Sequence, residues 1–211
     1  RGTNNSARNM KNNLRNDLFV ISKLVNHNEK ILDVGCGDGN LLNYLTRVKN
    51  AECRGIEIKQ SGVNECLKKG LSVIQGDANF DLEDYPDNAF STVILSQTIQ
   101  AMIFPDVVIK NLIRIGKRAI ISFPNFGYWR VRKDFLLNGS MPKNKILPYE
   151  WYNTPNIHLC SCKDFKVFCI ENNINVEKFI CLNEKGMEIG GKFLSNFFAY
   201  QVLFCVSKRI K

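Results

Sequence analysis

The chain is 211 residues long, 45% hydrophobic and 23% charged, with a formal net charge of +9. That size makes one domain with a full core the default for residues 1–211, and the composition is that of an ordinary soluble globular protein. No run of about 18 apolar residues occurs, which excludes a membrane-spanning helix, and no basic-then-apolar signal segment opens the chain, so a cytoplasmic location is expected.

Residues 1–8 are small and polar and read as an expression remnant, with Met10 as the natural start. Leu14, Leu18, Ile21 and Val25 then recur at helical spacing and predict an amphipathic helix packed on a sheet. Arg15 and Asp17 near its start could close over a ligand, although a solvated helix face is the plainer reading.

Strand one is expected at residues 30–34. It runs into Gly35, Gly37 and Gly39, and Leu41, Leu42 and Leu45 follow at helical spacing: strand, tight loop, helix. The amides opening such a helix favour an anionic group. The G-x-G-x-G spacing differs from the G-x-G-x-x-G of dinucleotide binders. Strand two, at about residues 51–58, ends on Glu57, about 20 residues past Gly35, where an acid can grip a ribose. A helix at about 61–69 stops at Gly70, and strand three, at 71–75, ends in Gly76 and Asp77.

Residues 81–88 are acidic and read as a loop. Strand four, at 90–95, ends in Ser96 and Gln97. Asp106 is the expected cap of a helix carrying Val108, Ile109, Leu112 and Ile113, which Gly116 ends, and strand five covers 118–123. Such alternation predicts a mostly parallel α/β sheet covered by helices on both faces, with ligands beyond the carboxyl ends of its strands. Residues 124–159 break the pattern. They hold four prolines and several aromatics, and a stretch this long reads as a cap over the pocket or a docking insertion. Asp164 then opens an amphipathic helix through Phe165, Phe168 and Cys169. Residues 174–182 and 196–207 predict a C-terminal antiparallel hairpin whose link contains Gly186, Gly190 and Gly191.

The eight cysteines are scattered without a C-x-x-C pair. Cys36, Cys53, Cys66, Cys169, Cys181 and Cys205 sit among apolar or helical residues and read as buried free thiols. His158-x-Cys160-x-Cys162 alternates too tightly for a usual zinc knuckle, so no metal site is expected. The positive charge is concentrated at residues 114–145, with eight Lys/Arg, one acid and interleaved aromatics. A nucleic-acid surface can look like this, but a solvated face or an acidic protein partner is preferred.

The glycine loop, Glu57 and Asp77 resemble the S-adenosylmethionine (SAM) site of class I methyltransferases. More specific blocks, at 33–42, 94–101, 122–127, 129–132 and 147–159, resemble the MetW family of methionine-biosynthesis proteins over roughly residues 14–182. The resemblance implies a Rossmann-like fold with a seven-stranded sheet. It implies SAM, or its demethylated product S-adenosylhomocysteine, held by Asp33, Gly35, Cys36, Gly37, Glu57, Ile58, Gly76, Asp77, Ala78, Ser96 and Gln97. There the loop packs on the amino-acid end, the acid after strand two binds the ribose, and the acid after strand three reaches the adenine amine. It also implies a partner, homoserine O-acyltransferase, which the protein would bind and activate.

Methyl transfer from a sulfonium asks mainly for alignment, water exclusion and, where needed, a base. The strand-four tip carries neither an Asn/Asp-Pro-Pro-aromatic loop nor a Pro-Cys nucleophile, and no catalytic residue is assigned. His27 sits at a helix end. His158 is the one candidate base, with a structural hydrogen-bonded histidine the preferred reading. Phe126, Tyr128, Trp129, Tyr149, Trp151 and Tyr152 read an acceptor by shape or simply pack. Two functions follow: a SAM-binding accessory protein of methionine biosynthesis, and a SAM-dependent methyltransferase of a small molecule. RNA modification is a weaker third.

Overall fold

A computed structural model describes residues 14–190 and 194–209. The expression-remnant reading of residues 1–8, the start at Met10 and the turn at Gly191 all fall outside the described residues.

The central strands alternate between two apolar faces. In β1 (Lys30–Val34) Ile31 faces one cluster while Leu32 and Val34 face the other. In β5 (Gly116–Pro124) Ile120 opposes Ala119, Ile121 and Phe123. A sheet apolar on both faces has to be covered on both. Helices α1 (Asn16–Leu24) and α2 (Asn40–Lys49) cover one side through Val20, Ile21, Leu41 and Leu45. Helices α4 (Pro105–Ile115) and α6 (Cys162–Glu171) cover the other through Val108, Ile109, Leu112, Phe165 and Cys169. Phe123 and Phe204 stack there with centroids 5.9 Å apart. Between α2 and α3 (Gln60–Lys68) a small cluster of Cys36, Leu42, Cys66 and Leu71 fills the gap.

The remaining strands are β2 (Glu52–Glu57), β3 (Ser72–Gln75), β4 (Phe90–Ser96), β6 (Ile174–Leu182), β7 (Glu188–Ile189) and β8 (Gln201–Lys208). Their order is β3-β2-β1-β4-β5-β8-β6-β7. β1 to β5 are mutually parallel, and β8 enters antiparallel between β5 and β6 with Ile121 opposite Phe204. The sheet therefore has eight strands where seven were expected. The extra one, β7, folds the link back so that Cys181 pairs with Ile189.

Other departures are local. Asp106 does not cap α4: Pro105 takes the first helical position, where its missing N–H costs nothing, and Asp106 pairs with Lys110 instead. Helix α6 begins earlier than Asp164, because Ser161 caps it and Asp164 returns a bond to the Ser161 amide. The last strand starts at Gln201. Before it, Ser195–Phe198 forms a helical turn, α7, in which Asn196 accepts from Lys163 N (3.1 Å) and Asn125 Nδ2 (3.1 Å). Within the aperiodic segment lies a helix, α5 (Trp129–Asn138), none of whose residues is buried. A helix that packs only its first turn, through Trp129 and Val131, leaves no apolar period to read.

Asn125 anchors that segment. It is fully buried; its Nδ2 donates to Ala199 O (2.8 Å) and Asn196 O, and its Oδ1 accepts from Gly127 N (3.1 Å) and Cys162 N (3.0 Å). Asn125→Ala strands two amides and two carbonyls and is expected to cost about 3 kcal/mol of stability, read from the denaturant midpoint.

Candidate functional site at the carboxyl edge of the sheet

The polar residues singled out from the sequence gather along one edge, at the carboxyl ends of β1, β2, β3 and β4. After β1 the chain turns through Gly35, Gly37 and Gly39, all with left-handed φ (72°, 58° and 73°). Gly39 has a second constraint: a Cβ there would lie 2.6 Å from Leu71 Cδ1 and 2.7 Å from Cys66 Sγ. Gly37 is the opposite case, since its Cβ would meet nothing within 4 Å, so open space lies over the loop.

Glu57 closes the loop from the tip of β2. Its Oε2 accepts from Gly37 N (2.8 Å) and its Oε1 from Lys59 N (2.9 Å). A carboxylate has about four lone-pair sites, so both oxygens keep room for further donors. Beneath it Asp33 is buried. Burial first, and the Glu57 carboxylate second, push its pKa up to about 7. Cys36 is buried beside it with its thiol pKa raised, which makes it an inert wall rather than a nucleophile.

At the β3 tip Asp77 Oδ1 accepts from both Asn79 N (2.9 Å) and Asn79 Nδ2 (2.7 Å), while Asp81 holds the Asp77 amide at 2.7 Å. Gly76 is tightly packed, since a Cβ would meet the same Asp81 carboxylate. Ala78 is buried and Ile58 exposed. Phe80 and Phe104 meet edge to face at 6.4 Å next to Asp77, and both are largely open. At the β4 tip Ser96 Oγ lies 3.1 Å from Ser122 Oγ. Gln97 has φ +54°, a strained conformation for a residue with a side chain, and its amide donates to Ser122 O at 2.8 Å.

Several participants carried no local sequence signal. Asn79 Oδ1 accepts from Ile103 N (2.8 Å) and Phe104 N (3.4 Å), tying the Asp77 turn to the chain after β4. That chain holds segment 124–159 in turn. Gln100 O accepts from Ile157 N and His158 N, and His158 Nε2 sits 3.3 Å from Ile103 O. His158 is thus hydrogen-bonded to the main chain, in line with its structural reading. Asp17 is not on a solvated face. It is buried and accepts from Arg15 and from Gln201 Nε2 (3.1 Å).

Half of the eight basic residues of the basic stretch are closely paired with acids. Arg114 meets Asp87 (2.7 Å), Arg118 meets Glu29 (3.0 Å), Arg130 meets Glu184 (2.6 Å), and Lys143 pairs with Glu150. Among the described residues no group of three or more His, Cys, Asp or Glu is arranged to hold a metal, no cysteine is in a disulfide, and no helix is long and apolar enough to cross a membrane.

This sheet order and strand-tip arrangement is the fold of class I SAM-dependent methyltransferases. A chain of the complex between the Haloferax volcanii Trm112 methyltransferase activator and the putative methyltransferase superposes with a TM-score of 0.70 at 12% identity, over 98% of this chain and 95% of that one. A SAM-dependent methyltransferase from Thermotoga maritima, a possible histamine N-methyltransferase, gives 0.64 at 17% identity over 92% and 87%. Within that class the chain belongs to the MetW family, methionine biosynthesis protein MetW, whose model matches residues 15–206. The bifunctional methionine biosynthesis protein MetXA/MetW of Rhodopirellula baltica is 29% identical over 75% of this chain and 27% of its own length. The chain spans about a quarter to a third of the curated relatives it matches, 25% to 32% of their length.

The raised pKa of Asp33 has a signed consequence. Between its ordinary value of 3.8 and about 7 the folded state holds a proton that the unfolded state has lost. Stability contributed at this site is therefore greatest at low pH and falls as pH rises toward 7. Asp33→Asn is expected to flatten that part of the stability–pH profile, measured by thermal unfolding of both proteins across the window.

Proposed function

We propose that this protein binds SAM, or S-adenosylhomocysteine, at the carboxyl edge of the sheet and acts as an accessory protein of methionine biosynthesis that docks on and activates homoserine O-acyltransferase. The observation that carries SAM binding is the Glu57 carboxylate, fixed by two amides with acceptor capacity left for a pair of ribose hydroxyls. The rest of the edge fits the same ligand. The Asp77 bonds to Asn79 use Oδ1 and leave Oδ2 for the adenine amine, with Phe80 and Phe104 as apolar flanks. The open face over Gly37 admits the amino-acid end, and the buried Asp33 gains a counter-charge from a cationic group. Gly35, Cys36, Ile58, Gly76, Ala78, Ser96 and Gln97 complete the walls.

SAM supplies an activated methyl group when bound. The accessory role rests on a different observation, an apolar surface on segment 124–159. Leu136 is 83% exposed, Trp151 75% and Tyr152 70%. Large apolar side chains this exposed, with Trp151 and Tyr152 in ring contact, favour an interaction surface. The joining of MetXA and MetW in one Rhodopirellula baltica protein supports this choice of partner. Coupling between the two sites has a physical route: Asp77 to Asn79, Asn79 to the 103–104 amides, and that turn to residues 157–158. SAM then shifts docking only by as much as it prefers one arrangement of this route. The cavity described below supports a second reading, methyl transfer to a small molecule, tested by searching for a methylated product.

Glu57→Ala is expected to weaken SAM by at least about tenfold in calorimetric titration, for the loss of charge-assisted bonds; unchanged affinity removes the ribose assignment. Titration of SAM with and without a homoserine O-acyltransferase tests the coupling. Trp151→Ala should spare SAM binding and abolish activation of the acyltransferase. Asn79→Ala should keep both binding events and lose the dependence of one on the other.

A further inference from the structure

Between the strand tips and segment 124–159 lies a cavity of about 330 Å³. Its floor is made by Gln97 and Gln100 after β4 and by Gln201 at the start of β8, and its roof by Lys145, Tyr149 and Asn156. Pro124, Pro148 and Pro155 stiffen the walls, so the space is formed without a ligand to mould it.

Two features give this cavity a chemistry. Gln100 is more than nine-tenths buried, and its Nε2 donates to Gln97 O at 2.8 Å, but its Oε1 has no hydrogen-bond partner, the only buried side-chain oxygen or nitrogen among the described residues left so. A buried acceptor without a donor is costly, and a ligand that brings an N–H or O–H removes the cost. The second feature is charge. Among the described residues no acidic side chain lines the cavity, and Lys145 is its one cation. Glu184 does not hold Lys145 firmly: it lies 4.0 Å away and is engaged by Arg130 at 2.6 Å and by Tyr128 Oη at 3.0 Å. The Lys145 ammonium is free to swing to a carboxylate entering beneath it.

We propose that this cavity binds a small carboxylate that also carries a hydroxyl or amino donor, the chemistry of a hydroxy acid or amino acid, with Lys145 taking the carboxylate and Gln100 Oε1 the donor. The site stands apart from the SAM reading, because neither Gln100 nor Lys145 belongs to the strand-tip set that would hold the cofactor. Gln97 alone is common to both, which sets the cavity beside the β4 tip.

The test titrates the full chain with α-hydroxyhexanoate and with hexanoate, followed by heteronuclear NMR, with a SAM titration alongside. The hydroxy acid is expected to bind about tenfold tighter than hexanoate, the worth of one hydrogen bond to a buried acceptor. Gln100→Leu should bring the two affinities together, and Lys145→Gln should weaken both. Equal affinities in the native protein, or a preference that survives Gln100→Leu, would overturn the proposal. If Gln100→Leu fails to fold, the exposed Lys145 decides: hydroxy-acid affinity unchanged in Lys145→Gln sinks the assignment. Loss of SAM binding with hydroxy-acid binding intact would overturn the cofactor reading alone.

Discussion

The grip of Glu57 on the Gly37 and Lys59 amides is the interaction on which the carboxyl edge depends. It ties the loop after β1 to the tip of β2 and orients the start of α3. The loop needs such a tie because its three glycines hold left-handed backbone and give no side chains to pack. The cost falls on Asp33, whose carboxyl is buried under a second carboxylate without a cation to balance it. An edge built this way is more stable with the carboxyl protonated and better suited, when ionised, to a cationic ligand.

A second set of constraints governs the segment that follows β5. Asn125 spends its whole hydrogen-bonding capacity joining that strand to α6 and α7, so the segment leaves the sheet from a fixed point. It returns to the β4 side through the Gln100 carbonyl. Between these two anchors it buries a small cluster of Tyr128, Ile146 and Leu147, while the leucines of α5 and the 151–152 aromatic pair face outward. Rigid attachment with an unburied apolar surface suits presentation to another molecule better than closure over an internal core. Of the basic residues at 114–145, Arg114, Arg118, Arg130 and Lys143 are answered by Asp87, Glu29, Glu184 and Glu150, which lowers the charge left for a nucleic-acid surface.

MetW membership and the methyltransferase fold leave room for catalysis and for sensing, because a fold carries many functions and the site decides among them. The side of the edge that carries Glu57 and Asp77 is dense in fixed acceptors. The side facing segment 124–159 offers instead a preformed cavity with one cation and one unmet acceptor. These are separate chemistries that meet at Gln97.

The sequence by itself determined the α/β alternation, the parallel strands one to five, the antiparallel C-terminal pair and the family, because apolar period, glycine turns and contiguous motif blocks are local properties of the chain. It also named the strand-tip acids, since a carboxylate after an apolar run is visible without coordinates. Only the tertiary structure decided the rest. Helix α5 has no fully buried residue, so no periodicity announces it. The two-residue β7 exists only as a partner of β6. The roles of Asn79, Gln100 and Asn125 arise from bonds to residues distant in sequence, to Ile103 and Phe104, to Ile157 and His158, and to Asn196 and Ala199. An amide side chain looks the same in sequence whether it is solvated, bonded or orphaned. Its partners are set by packing, and packing is what the linear chain does not record.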